Sequence, residues 1–262
     1  MWLLHNLINK LLIGGNDVCV EVDDINLVES YNFNLPLRNE KGKKDVLVGS
    51  HFTDVPHIKQ ERKWDCGLAC VLMVLRTLNI NHYDSEDLEA FCPTTSIWTV
   101  DLAYLLEKLS VSFSYITVTL GANPNFSLET FYEEQLTDDI VRVNKLFQRS
   151  QEAGINIECR SITGNEIALL ILSGEYIVIA LVDQFILRED IFKPDFYGGS
   201  SSYTGHYIVI CGYDALTDEF EIRDPSSSRS RERISSRCLE NARKSFGTDE
   251  DILLIHLENI NT

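Results

Sequence analysis

The chain has 262 residues, 44% of them hydrophobic, which is enough for a sizeable core without disulfide or metal staples. Forty acidic against 23 basic residues give a formal charge of −17, a field that repels phosphate backbones and acidic lipids. Nucleic-acid binding is therefore not expected, and a nucleotide is handicapped unless a divalent cation or a local basic pocket offsets the charge.

The first residues, MWLLHNLINKLLIGG, are apolar at 3, 4, 7, 8, 11 and 12 and predict an amphipathic helix over 1–13. That run is too short to span a bilayer, and His5, Asn6, Asn9 and Lys10 interrupt any signal-peptide core. A cytoplasmic protein with no transmembrane segment is expected. Residues 14–45 are polar, hold the basic run KGKK and keep no period, so they are read as a linker or loosely packed arm. Residues 46–262 contain no later break long enough to separate a second unit and are expected to form a single domain.

Apolar spacing predicts a helix from about Cys66 to Leu78, ended by NINH. Further helices are predicted over 84–91, capped by Asp84 or Ser85, then over 99–109 and 128–152. INIECRSI, EYIVIALV, HYIVICGYD, EFEIRDP and ILLIHL read as strands, with one more helix at 164–172. Helices early and strands late predict an α+β fold, with the N-terminal helices packed on a largely antiparallel C-terminal sheet.

Within this order, QERKWDCGLAC at 60–70 carries the chemistry. Cys66 opens a helix, where the helix dipole favours thiolate, and its own N–H can meet a developing oxyanion. Gln60, on the segment leading in, is the candidate second donor. His206 begins the strand HYIVICGYD after the loop GGSSSYTG, and is the candidate base. The turn DALTD returns the chain as EFEIRDP, so the hairpin should set Asp224 beside His206 to orient the imidazole.

Each residue alone has a blander reading: Cys66 as a buried apolar thiol, His206 as a core histidine, Asp224 as a turn former before Pro225. Together they supply what one thiol-hydrolase site requires. Seven cysteines without finger-like spacing read as reduced thiols, and no second ligand pair answers Cys66 and Cys70, so zinc is not expected. His57 sits near Gln60 but is read as structural, and His51, His82 and His256 have no evident partner. Trp64 is read as packing. RDPSSSRSRER is a local basic loop beside Asp224, the one place where a phosphate or an acidic peptide could be attracted, although such a run is usually only a solvated face.

HIKQERKWDCGLACVLMVLR resembles the Gln-to-Cys segment of papain-like peptidases, particularly the bacteriocin-leader-cleaving group, whose second motif is also a GHY strand followed by an Asp-Pro strand end. Across about 45–260, with TTSIWTVDLAYLL, SYTGHYIVICGYD and EFEIRDPSSS, the chain more specifically resembles the plant soluble guanylyl cyclase family and its animal guanylyl cyclase domain-containing relatives. The peptidase resemblance implies a papain-like fold with Cys66 as nucleophile, His206 as base and acid, Asp224 as orienter and Gln60 in the oxyanion hole. It implies a peptide or protein substrate and no cofactor. The cyclase resemblance implies magnesium-dependent conversion of GTP to cyclic GMP and diphosphate in the cytoplasm. Cyclisation needs metal-holding carboxylates and cations for the triphosphate. GGNDV is no P-loop, and pairs such as Asp23/Asp24, Asp138/Asp139 and Asp249/Glu250/Asp251 are expected by chance in so acidic a chain. Three functions follow: thiol-dependent hydrolysis of a peptide, isopeptide or related amide bond; guanylyl cyclisation; or an idle peptidase-like binding module.

Overall fold

Residues 176–183, YIVIALVD, are apolar at nearly every position, the pattern of a strand covered on both faces. The computed structural model, which describes residues 49–92, 94–123, 125, 136–189 and 203–257, shows that strand at the centre of an eight-stranded sheet. The expected helix over 1–13 and arm over 14–45 lie outside the described residues.

The strands are β1 (Ser50–Phe52), β2 (Phe113–Thr117), β3 (Ile157–Cys159), β4 (Tyr176–Asp183), β5 (Gly205–Asp214), β6 (Glu219–Arg223), β7 (Glu232–Ser235) and β8 (Ile252–His256). Their order is β3-β2-β8-β4-β5-β6-β7, with β1 added against β5. Every pairing is antiparallel except β2 with β3. The described helices are α1 (Cys66–Thr77), α2 (Ser85–Phe91), α3 (Thr99–Lys108), α4 (Leu136–Arg149), α5 (Gly164–Leu172), α6 (Gln184–Glu189) and α7 (Ser236–Arg243). The fold is α+β, as the sequence predicts.

Strand alternation divides the core in two. Ile177, Ile179 and Leu181 of β4, with Tyr207 and Val209 of β5, pack under α1 and α3. Val178, Ala180 and Val182, with Ile208 and Ile210, pack against Ile167 and Ile171 of α5 and Leu239 and Ala242 of α7. The sheet is thus covered by helices on both faces. Helices α6 and α7 and strands β1, β2 and β7 were not expected. The β2 residues alternate as FSYIT, but they lie between helices and pair only with distant segments.

Helix α1 is buried along ten of its twelve residues because sheet and helices enclose it. It stops where Asn79 turns left-handed at φ 61°, and the Ile80 N–H reaches back to the Leu75 carbonyl. Asp84 caps α2 reciprocally with Asp87, and Thr163 caps α5 with Glu166, which explains the sharp starts the sequence suggested. Among the described residues, no helix is long and apolar enough to cross a membrane.

Candidate active site

Asp65 precedes α1 but does not use its side chain to cap the helix. The carboxylate instead folds back to accept the N–H groups of Glu61, at 3.1 Å, and Arg62, at 3.0 Å. This clasp closes the 61–65 turn into a fixed lead-in, so Cys66 is delivered as the first residue of the helix and is buried there. At that position the thiol faces the positive end of the helix dipole.

The hairpin places the other two members as predicted. His206 Nε2 lies 2.7 Å from Asp224 Oδ1, and both side chains are buried. The Cys66 thiol lies close enough to the His206 ring to favour its charged form. Because Nε2 is committed to Asp224, Nδ1 is the nitrogen left for sulfur. Burial works against the charged ring, but the bond to Asp224 and the proximity of Cys66 outweigh it and push His206 up to about 9. Burial likewise opposes the Asp224 charge, yet His206 and Ser226 hold that carboxyl down at about 2. The imidazole is therefore charged at neutral pH and faces the sulfur.

A β-bulge helps set this alignment. Ile210 pairs with Ile222 and Gly212 with Glu221, so Cys211 is an extra residue in β5 with no opposite number in β6. Gly212 beside it lets β1 approach: an added Cβ would stand 2.3 Å from the Phe52 ring and 3.1 Å from the His51 carbonyl oxygen.

Three long-range bonds zip the lead-in segment to the far end of the hairpin. Arg223 Nε donates to the Val55 carbonyl at 2.8 Å, His57 Nε2 to the Asp224 carbonyl at 2.8 Å, and the Gln60 N–H to the Pro225 carbonyl at 3.0 Å. His57 is thus structural, as expected, and it positions Asp224. Gln60 is brought to the strand end, where its Nε2 donates to the Arg62 carbonyl at 2.6 Å and its Oε1 is buried with no partner. An amide nitrogen carries two hydrogens, so one donor remains.

Ser226 was missed by the sequence reading. Its N–H and hydroxyl both donate to Asp224 Oδ1 at 2.7 Å, and the signal was the Asp-Pro-Ser turn itself. Gln184 Nε2 and Arg188 Nη2, from α6, reach the same hydroxyl at 3.1 and 3.2 Å. Cys70 lies on the same helix as Cys66, but burial drives its thiol well above the usual range, leaving it an inert packing group. Trp64 packs against the core, with the Arg62 guanidinium 5.5 Å from its ring centre. His51 meets Thr53 at 3.3 Å, and His256 stands edge-on to Tyr176.

The model of the guanylylate cyclase family matches residues 55–255 of this sequence. The chain belongs to that family. Guanylyl cyclase 1 of Arabidopsis thaliana is 54% identical over 274 aligned residues, covering 99% of this chain and 98% of that protein. A solved structure described as a putative C39-like peptidase from Bacillus anthracis superposes with a TM-score of 0.49 at 14% identity, covering 80% of this chain and 98% of that one.

Membership of the guanylylate cyclase family raises the question of magnesium, which prefers six oxygens and keeps several waters. Among the described residues, no group of three or more His, Cys, Asp or Glu is placed to hold a metal. Asp139 is committed to Trp98 Nε1 at 3.0 Å, which ties α4 to the start of α3, and to Arg142 of its own helix at 2.9 Å. Asp249 and Asp251 line one cavity of about 10 Å³, room for a single water. Burial and then the Asp249 charge push Asp251 up to about 8, so it is neutral at pH 7. These donor sets do not fit a magnesium–triphosphate.

Proposed function

We propose that this family member is a thiol-dependent hydrolase acting on a peptide, isopeptide or related amide bond. One observation supports the reading above all: a buried imidazole bonded to Asp224 at 2.7 Å and close enough to Cys66 that the two together hold it charged up to about 9. The Cys66 sulfur would attack the carbonyl carbon, and the electron pair of the C=O bond would move to oxygen. The Cys66 N–H and the spare Gln60 hydrogen would meet that oxyanion. As the C–N bond breaks, His206 gives its proton to the departing amine, leaving a thioester on Cys66. A water then attacks the thioester, His206 takes its proton, and the C–S bond breaks to release the acid and restore the Cys66 thiolate beside the charged imidazole. No cofactor enters these steps. The free thiols among the described cysteines suit a reducing compartment such as the cytoplasm.

The test is labelling by iodoacetamide at pH 6.5. Cys66 is expected to react faster than free cysteine, and Cys66→Ala is expected to abolish that fast phase. Labelling no faster than free cysteine overturns the reading.

The near full-length identity of 54% to a protein named guanylyl cyclase favours a second reading, conversion of GTP to cyclic GMP with magnesium. Purified protein with GTP and magnesium then yields cyclic GMP, and the yield survives Cys66→Ala. A protein with neither fast labelling nor turnover, but with a stable partner in pull-down, is instead the idle binding module.

A further inference from the structure

Around Cys66 the charge of the chain is locally inverted. The whole protein carries −17, but exposed Lys59 and Lys63 sit on the lead-in segment and exposed Arg229 on the loop after Asp224. Among the described residues none of the three has an ion-pair partner, whereas Arg62 is paired with Glu89 and Arg231 with Asp54. Arg188 on α6 is also exposed and unpaired with any acid, its guanidinium resting on the Ser226 hydroxyl at 3.2 Å. On the segments 57–66 and 224–232, Glu61 is the one exposed acid, since Asp65 and Asp224 are buried and bonded and the half-buried Glu232 accepts from the Ser227 hydroxyl.

The segments that carry these cations are joined beside the site. The Gln60–Pro225 main-chain bond of 3.0 Å joins the two segments, and Arg188 is fixed to the residue after Pro225. The Arg229 N–H is tied to Ser227 Oγ at 3.0 Å. A Debye length of about 8 Å at physiological ionic strength screens the distant acids but not charges on the rim itself. The cavity that Lys59, Gln60 and Arg62 line is only about 20 Å³, too small to enclose a base or a triphosphate. Separate cations along an open rim match an extended chain with spaced acidic side chains.

Building on the thiol-hydrolase reading, we infer that the substrate is an acidic peptide segment, with Asp or Glu flanking the bond that Cys66 attacks. Lys59, Lys63, Arg188 and Arg229 select it.

Two readouts on the full chain test this. The first is the ratio of Cys66 alkylation by iodoacetate, an anion, to that by neutral iodoacetamide. It is expected to fall on the order of 10-fold in a Lys59→Glu, Lys63→Glu, Arg229→Glu variant, and to fall with added salt in the parent, while the iodoacetamide rate stays unchanged. The second is protection of Cys66 from iodoacetamide. A hexaglutamate peptide is expected to slow labelling of the parent but not of the variant, and hexalysine to have no effect. A ratio indifferent to charge reversal and salt overturns the proposal, as does protection by GTP stronger than by hexaglutamate, which assigns the rim to a nucleotide. Slow labelling by both reagents overturns the underlying thiol-hydrolase reading, and is read from absolute rates rather than from the ratio.

Discussion

Gly67 and Tyr207 meet so closely that a methyl group on the glycine would stand 3.1 Å from Cδ2 of the tyrosine ring and 2.9 Å from Leu102 Cδ1. Each is the chain neighbour of a site residue, so the contact fixes how near α1 lies to β5, and hence how near Cys66 lies to His206. The tyrosine is held in turn by its hydroxyl, 3.0 Å from Thr99 Oγ1.

Gly67→Ala is therefore expected to separate thiol from imidazole. Overpacking costs about 1–3 kcal/mol, offset by about 1 kcal/mol of helix propensity, so the protein should still fold. Fast iodoacetamide labelling should drop well beyond what the change in urea midpoint explains. A variant that labels at the parent rate shows that this contact does not set the distance.

Asp224→Asn removes the carboxylate that holds the imidazolium. His206 titrates at about 9 in the folded chain against 6.5 when unperturbed, so its contribution is complete below pH 6.5 and fades as pH rises through about 9. Asp224, lowered from 3.8 to about 2, contributes above pH 3.8 and is lost as pH falls through about 2. The substitution should cost on the order of 3 kcal/mol at pH 5 to 6, and less above pH 9. Urea unfolding at pH 5.5 and 9.5 measures the difference, and an equal loss at both would contradict it.

The hairpin logic that set Asp224 beside His206 was legible because it needs only two apolar runs and a turn between them. Cys66 was legible from the helix it opens. The zipper of Val55 to Arg223, His57 to Asp224 and Gln60 to Pro225 was not, because it joins residues more than 160 positions apart through main-chain carbonyls, which carry no side-chain signature. Strand β7 and helix α7 were hidden because RERISSR reads first as a charged loop. Their apolar residues, Ile234, Cys238, Leu239 and Ala242, gain meaning only against the second face of the sheet.

Asp65→Ala should free the Glu61 and Arg62 amides that the carboxylate now holds. Loss of these charge-assisted bonds is expected to cost about 1–3 kcal/mol. Hydrogen exchange at those two amides should accelerate more than at the α1 core. Unchanged protection there would show that the clasp is not what fixes the turn.

Asp251 predicts an opposite slope with pH. It is neutral in the folded chain up to about 8 but ionised above 3.8 when unperturbed, so the folded state binds the extra proton and loses stability as pH rises between those values. Asp251→Asn keeps an oxygen for the Tyr115 hydroxyl, now 3.0 Å from Oδ2, and removes the need for that proton. The variant should be the more stable protein at pH 8.5, with a flatter profile from pH 5 to 8 in thermal unfolding. A steeper profile than the parent's would refute the assignment.

The unpaired Cys211 puts the two halves of β5 out of step with β6 by one residue. On the turn side Gly212 answers Glu221; on the Asp224 side Val209 answers Arg223. Excising position 211 would restore an unbroken ladder while leaving every helix, the turn and all the site residues in the chain. Every pair on both sides would stay opposite its present partner, and what would be lost is the local bend and added twist that the extra residue gives β5, the curvature along which the ring and the carboxylate now meet.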